Sequence, residues 1–247
     1  MVRATLVQID NYGPWTVTPE PRRETDLQTL QARLYADLSQ AFGAHDSTVF
    51  FSRFDNVVAF TEGVSVEDHR VVQRSVNNRY PVTVSMGVAD GATPRDAVET
   101  ASALLQAEGS AQDFGREARL AAEIDDKDDN EGVQVAHFDI ESATERYTDE
   151  LDAYGCQLLV ERAGLALMEE MWEHDAVTFF VGGDNYISVT PFLDEETFAQ
   201  AVAVVEETTR VELKVGVGEG ATPAEAGMRA KHCLERSRNG GGRVEFY

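Results

Sequence analysis

A shift of 129 positions lays the second half of this chain onto the first. It carries Asp10 onto Asp139, His45 onto His174, Phe51 onto Phe180, Asp55 onto Asp184, Asn56 onto Asn185 and Gly87 onto Gly216. It also carries Gly91-Ala-Thr-Pro94 onto Gly220-Ala-Thr-Pro223. A constant offset through so many unlike residue types means two copies of one unit. Divided between two copies, 247 residues give about 120 each, an ordinary domain size. The break is expected in the charged, glycine-ended run Asp125–Gly132, read as a solvated connection. The domains are then 1–125 and 133–247.

Each copy reads as strand, helix, hairpin, helix, strand, helix. In the first, a strand over 2–10 precedes Asn11–Arg23, where Pro14, Pro19 and Pro21 are expected to exclude regular structure. Leu27, Leu30, Leu34, Leu38 and Phe42 recur at helical spacing before Gly43. A hairpin over 48–61, a helix from the capping box Ser65-x-x-Asp68, a strand over 80–88 and a helix from Thr93 follow. In the second, a strand over 133–139 leads into an irregular stretch at 140–146. A helix over about 148–173 has Leu151, Tyr154, Leu158 and Leu165 among its apolar positions. A hairpin over 176–190, a helix from Asp194, a strand over 212–217, a helix from Thr222 and a closing strand at 243–247 complete it. The order predicts an α+β fold of two tandem ferredoxin-like domains, each an antiparallel sheet with helices on one face.

That arrangement sets the first strand beside the hairpin, and each carries a carboxylate. Asp10 ends the first strand of copy one, and Asp55 sits at its hairpin turn; Asp139 and Asp184 repeat the pair. Paired carboxylates on neighbouring strand ends suit a hard cation held against a phosphate. Gly182 and Gly183 remove side chains beside Asp184, so a ligand can approach the backbone. Arg22 and Arg23 are candidates for phosphate oxygens, or else a solvated helix start. Arg53 is placed for a phosphate or for pairing with a carboxylate. Tyr12 and Trp15 offer rings for a base, or simple packing. Asn11, Asn56 and Asn185 can hydrogen-bond a base or position water, or else are turn residues.

Charge and cysteine content exclude several classes. The net charge is −23, and Lys supplies three of the 21 basic residues. Such a surface disfavours nucleic acid and anionic membranes, and it suits a cytosol of high salt that screens self-repulsion. Two cysteines without a C-x-x-C and five histidines without an H-x-x-x-H pair argue against a zinc site and favour oxygen ligands. No apolar run reaches the ~18 residues of a membrane helix, and no basic, apolar leader is present, so a cytoplasmic protein is expected.

The pairing of a strand-end Asp with a Gly-Gly-Asp hairpin resembles the palm domains of nucleotide cyclases and polymerases. Asn185-Tyr186 stands where diguanylate cyclases carry Glu-Phe. The whole chain is more similar to the archaeal GTP cyclohydrolase III family. The resemblance rests on Gln8–Glu24, Arg53-Phe-Asp-Asn56, Asn78–Met86, Gly109-Ser-Ala-Gln-Asp113 and Val181-Gly-Gly-Asp-Asn185. It implies a duplicated palm-like fold, a homo-oligomer of four subunits, GTP as substrate, two Mg²⁺ ions and K⁺ as activator. It implies opening of the guanine imidazole ring and loss of two phosphates, for flavin or deazaflavin synthesis. Asp10, Asp55, Asp139 and Asp184 are the expected metal ligands. The first copy, with Asp10 and Asp55 catalytic, is preferred for metal and phosphates, with the second supporting it. The competing readings are a palm-type cyclase or nucleotidyltransferase and a nucleotide sensor without turnover.

Overall fold

The computed structural model describes residues 1–125 and 132–247, so most of the expected connection at 125–132 lies outside the described residues. The chain divides into two compact units, Met1–Ala92 with Asp96–Asn130 and Thr93–Arg95 with Glu131–Tyr247.

The first unit runs β1 (Val2–Ile9), α1 (Tyr12–Val17), α2 (Glu24–Gly43), β2 (Thr48–Arg53), β3 (Asn56–Phe60), α3 (Val66–Arg79), β4 (Val84–Gly91), α4 (Pro94–Ala107) and β5 (Leu120–Glu123). Its sheet has the order β2-β3-β1-β4-β5. The strand made first is therefore central, antiparallel to β3 on one side and to β4 on the other. The second unit runs β6 (Val133–Ile140), a π-helical turn (Thr144–Thr148), α5 (Ala153–Trp172), β7 (Val177–Gly182), β8 (Asn185–Thr190), α6 (Glu195–Thr209), β9 (Leu213–Gly220), α7 (Pro223–Arg238) and β10 (Val244–Phe246). Its order, β10-β9-β6-β8-β7, repeats the first with β6 at the centre.

Alternation along the central strands decides what the helices cover. Val7 and Ile9 point to one face of the first sheet, where Leu30, Leu34, Leu38 and Phe42 of α2 and Val72 and Val76 of α3 close the core. Phe138 and Ile140 do the same in the second sheet, against Ala163, Leu167 and Met171 of α5 and Phe198, Ala201 and Val205 of α6. This is the expected one-face layer. A third helix in each unit is added to the opposite face. A Cβ at Gly87 would lie 2.1 Å from the Ala101 carbonyl of α4, and one at Gly216 would lie 2.1 Å from the Leu234 nitrogen of α7. Only glycine leaves room for so close an approach of helix backbone to strand backbone.

Several local expectations are corrected. The sheets are mixed, because β5 pairs parallel with β4 and β10 parallel with β9. β5 has four residues, too few for an alternation signal. Residues 12–17 are helical despite Pro14, which sits in the first turn, where a missing N–H costs no hydrogen bond. α5 starts at Ala153, not at 148, because Asp152 caps it by accepting from the N–H groups of Tyr154 (2.9 Å) and Gly155 (3.0 Å). Leu151, Tyr154, Leu158 and Leu165 are all exposed, and the core takes the opposite side of that helix. Among the described residues, no helix is long and apolar enough to cross a membrane.

Candidate active site

Asp10 is the first residue past β1, and 3% of its surface is exposed. Its Oδ2 accepts from the Thr83 hydroxyl (2.8 Å) and the Ala118 N–H (2.9 Å), and its Oδ1 accepts from the Ser85 hydroxyl (2.6 Å). Arg116 is itself 2% exposed; it lies 3.2 Å from Oδ1 and donates to Gln8 Oε1 at 2.7 Å. A buried carboxylate needs both a counter-charge and filled lone pairs, and Asp10 has both. The segment between α4 and β5 supplies Arg116 and Ala118. It is also tied to the strand end by the Asn11 N–H, which donates to the Ala111 carbonyl at 2.7 Å.

This segment helps to wall a cleft of about 430 Å³ lined by Asp10, Asn11, Trp15, Tyr80, Thr83, Phe114 and Glu117. Three aromatic rings beside a carboxylate make a surface on which a planar base can stack. Tyr80 donates to Asp37 at 2.6 Å, and Arg79 donates to the same oxygen at 2.7 Å. Burial, followed by that bond, pushes the Tyr80 phenol up to about 12 and keeps it neutral. Phe114, one wall of this cleft, is 75% exposed. Asn11, in the left-handed region at φ 51°, buries its Oδ1 without a donor.

The sheet register corrects the expected repeat of the pair: Ile9 lies opposite Val84 and Ile140 opposite Leu213, so Glu141, paired with Lys214 at 3.1 Å, stands where Asp10 does, and Asp139 stands where Gln8 does. Arg238, at the end of α7, donates to both oxygens of Asp139, one of them at 3.0 Å through Nε. Asp184 accepts from Asn185 Nδ2 at 2.8 Å. Burial first, and then the Asp139 charge, raise the Asp184 carboxyl above its ordinary value. The strand ends thus do bring these two carboxylates within electrostatic reach. Asn185 Oδ1 accepts from His137 Nε2 at 3.0 Å, as Asn56 Oδ1 accepts from Gln8 Nε2 at 2.9 Å in the first unit. Two clefts flank the hairpin tip, one of about 460 Å³ lined by Tyr147, Cys156, Phe180 and Asp184 among others, and one of about 300 Å³ lined by His137, Lys231 and Arg238.

Comparison with known proteins decides between the chemistries such a site can serve. The profile of GTP cyclohydrolase III matches residues 1–245. The chain belongs to the GTP cyclohydrolase III family. It is 54% identical to GTP cyclohydrolase III 1 of Halobacterium salinarum, over 96% of this chain and 94% of that protein. It is 46% identical to GTP cyclohydrolase III of Methanothermobacter thermautotrophicus, over 97% and 96%. It is 46% identical to that of Methanocaldococcus jannaschii, over 96% and 88%. Among solved structures, the active GGEEF domain of a diguanylate cyclase from Vibrio cholerae covers 47% of this chain and 83% of its own, at 14% identity and a TM-score of 0.39. That likeness is too distant to bear on function.

The remaining residues expected of a GTP cyclohydrolase III site separate into engaged and free. Arg22 donates to the Trp15 and Thr18 carbonyls and lies 4.0 Å over the Trp15 ring, so it braces its own loop. Arg23 makes an exposed pair with Asp26 at 2.8 Å. Tyr12 accepts from Gln31 Nε2 at 2.6 Å and stacks on Trp15. Its phenol is raised by burial and by the charges of Glu24 and Asp55. Arg53, 70% exposed, lies 3.5 Å from Asp55. Asn56 is buried with its Nδ2 unpaired. Gly182 and Gly183, at φ 110° and 64°, hold conformations that favour glycine. Sequence reasoning missed Arg116, Tyr80, Phe114, Thr83 and Ser85.

Among the described residues, no group of three or more His, Cys, Asp or Glu is placed to hold a metal. A nucleotide-bound Mg²⁺ asks for less, one or two carboxylates plus phosphate oxygens and water. The first unit offers Asp55, one-third exposed, and the buried, donorless Asn11 Oδ1 beside Asp10. The donorless Asn11 Oδ1 fits such a cation, whereas the oxygens of Asp10 are already met by Thr83, Ser85, Ala118 and Arg116.

Proposed function

We propose that this chain is a Mg²⁺-dependent hydrolase of GTP that opens the guanine imidazole ring and releases two phosphates. The product is 2-amino-5-formylamino-6-ribosylamino-pyrimidinone 5'-phosphate. One water adds across the ring at C8, which stays on the product as the formyl carbon; one more water is consumed for each phosphate released. The observation that supports this reading is identity of 54% and 46% over nearly the whole chain to relatives named GTP cyclohydrolase III, joined to an aromatic cleft beside Asp10. K⁺ is the proposed activator.

In this reading the first unit holds the nucleotide. Trp15 and Phe114 sandwich or edge the purine, and Tyr80, fixed by Asp37, sets the depth of the base. Asp10 and Asp55, with Asn11, would hold Mg²⁺, which when bound offsets phosphate charge and acidifies water. Arg53, the exposed cation at the hairpin turn, meets the polyphosphate. Arg116, buried against Asp10, keeps that charge paired. The second unit is scaffold and support, its Asp139 already neutralised by Arg238.

Incubation with GTP, Mg²⁺ and K⁺, followed by ultraviolet spectra and free phosphate, tests the proposal. Loss of the purine chromophore with two phosphates per GTP is expected. An intact chromophore with pyrophosphate release would instead identify a cyclase or nucleotidyltransferase, and binding without turnover would identify a sensor.

A further inference from the structure

Helix α2 buries six side chains, and five of them, Leu27, Leu30, Leu34, Leu38 and Phe42, are apolar. The sixth is Gln31, 8% exposed. A primary amide in a row of leucines costs stability unless its hydrogen bonds are recovered. Gln31 recovers one from outside the helix: its Nε2 donates to the Tyr12 hydroxyl at 2.6 Å.

The duplication shows that the frame does not require this amide. α2 and α5 span equivalent residues at the offset of 129, and Val160 stands where Gln31 does. Along the central strands the offset is 131, as the sheet register sets it, and it continues past them: Asn11 and Ser142 share the left-handed backbone, at φ 51° and 53°. Ala143 therefore stands where Tyr12 does. The amide and the phenol occur together in one unit and are missing together from the other, although Tyr12 and Ala143 both pack on their own cores.

Beyond Tyr12 the contact reaches the cleft. The Tyr12 ring stacks on Trp15, with centroids 6.2 Å and planes 25° apart, and Arg22 lies 4.0 Å over the same indole. Trp15 lines the cleft beside Asp10. The short helix α1 that carries it buries none of its residues, so the attitude of the indole is set by these neighbours rather than by a core.

We infer that Gln31 is a positioning residue for the nucleotide cleft: it fixes the Tyr12 phenol, and through the Tyr12–Trp15 stack it sets the indole against which the base lies. It touches no reacting atom. The inference deepens the reading of this cleft as the GTP site and rests on it. In this role the amide serves affinity rather than stability.

Two variants test it. Gln31→Met removes the donor and keeps the length of the side chain, and Gln31→Val installs the residue that the second unit carries. Either should raise KM for GTP about fivefold, the worth of one hydrogen bond, with kcat unchanged, the mark of lost uniform binding. The unfolding temperature should hold or rise, because an apolar side chain then completes the buried row. Tyr12→Phe should raise KM equally, and combining it with Gln31→Met should add nothing, as the two ends of one bond require. Fluorescence supplies a readout apart from turnover. The chain has two tryptophans, and Trp172→Phe leaves Trp15 as the reporter; GTP should quench it, with a Kd about fivefold higher when Gln31 is replaced. Absence of quenching in the Trp172→Phe protein overturns the cleft as the GTP site, and this role with it. Quenching with KM and Kd unmoved by either Gln31 variant overturns the role alone, whether or not the unfolding temperature falls. Additive losses in the double variant overturn the route through Tyr12.

Discussion

The two units share strand order, bulged hairpin and helix placement, yet each balances a buried carboxylate near the end of its central strand, at positions two residues apart in the repeat, by a different route. Asp10 is held by Arg116 from the segment before β5, and Asp139 by Arg238 from the end of α7. In the first unit that segment spans residues 108–119 and closes over the strand end; in the second, residues 239–243 suffice between α7 and β10. The long connection walls the aromatic cleft and buries its arginine. The short one leaves Arg238 more than one-third exposed. The frame therefore carries the duplication, and the connection after the third helix carries the specialisation.

The largest expected effect tests that division. Asp10→Asn should lower GTP turnover by roughly 10²-fold or more, as loss of a metal-holding carboxylate implies. It should also cost about 3–5 kcal/mol in denaturant unfolding, because Arg116 is left buried and unpaired. Asp139→Asn should cost about 1 kcal/mol, since Arg238 can turn to water. Equal losses in both units, or an activity loss confined to Asp139, would reverse the assignment.

A second test should find no difference between the units. Gly87→Ala and Gly216→Ala each drive a Cβ into helix backbone, and each should lose about 3 kcal/mol or more by thermal or chemical unfolding, beyond the ordinary range for overpacking. A benign result in one unit would show that its third helix is not held against the sheet.

Third is pH. Burial pushes the Glu62 carboxyl up to about 7, against the lowering pull of the Arg3 N–H that donates to it at 2.9 Å. Its folded value is raised, so its contribution to stability is present in full below the ordinary 4.5 and is lost as pH rises through about 7. The step amounts to about 3 kcal/mol at ~1.4 kcal/mol per pH unit. Pro191 occupies the twin position in the second unit, so Glu62→Gln should flatten the profile of unfolding free energy against pH. An unchanged profile would place the sensitivity elsewhere.

The smallest effect concerns the cleft. Phe114→Ala should raise KM for GTP about tenfold, the worth of one stacked ring, and shift stability by less than ~0.5 kcal/mol, because the ring is exposed. A fall in kcat at constant KM would argue against a stacking role.

Much of this frame was legible in the residues, because strand alternation, helical spacing and a constant offset are local or periodic signals. The pairing of β1 with the β2–β3 hairpin follows from them, and with it the neighbourhood of each Asp pair. The partners of Asp10 were not legible. Arg116 lies over a hundred positions from Gln8, and no periodicity links them. The apolar residues of α5 misdirect in another way. That helix has two apolar sides, and only packing reveals that the leucines spaced by seven are the outer one. The phosphate-binding candidates Arg22 and Arg23 show the same limit, since a guanidinium near a strand end finds local carbonyls and carboxylates before it finds a ligand.

The central position of β1 has a consequence for the newborn chain. It is made before both of its neighbours and before the guanidinium that quiets its terminal Asp, the last of which comes about a hundred residues on. Such distant closures slow folding. A nascent chain that stops short of residue 116 carries a lone anion at the heart of its sheet, and in the second unit Asp139 waits in the same way for Arg238.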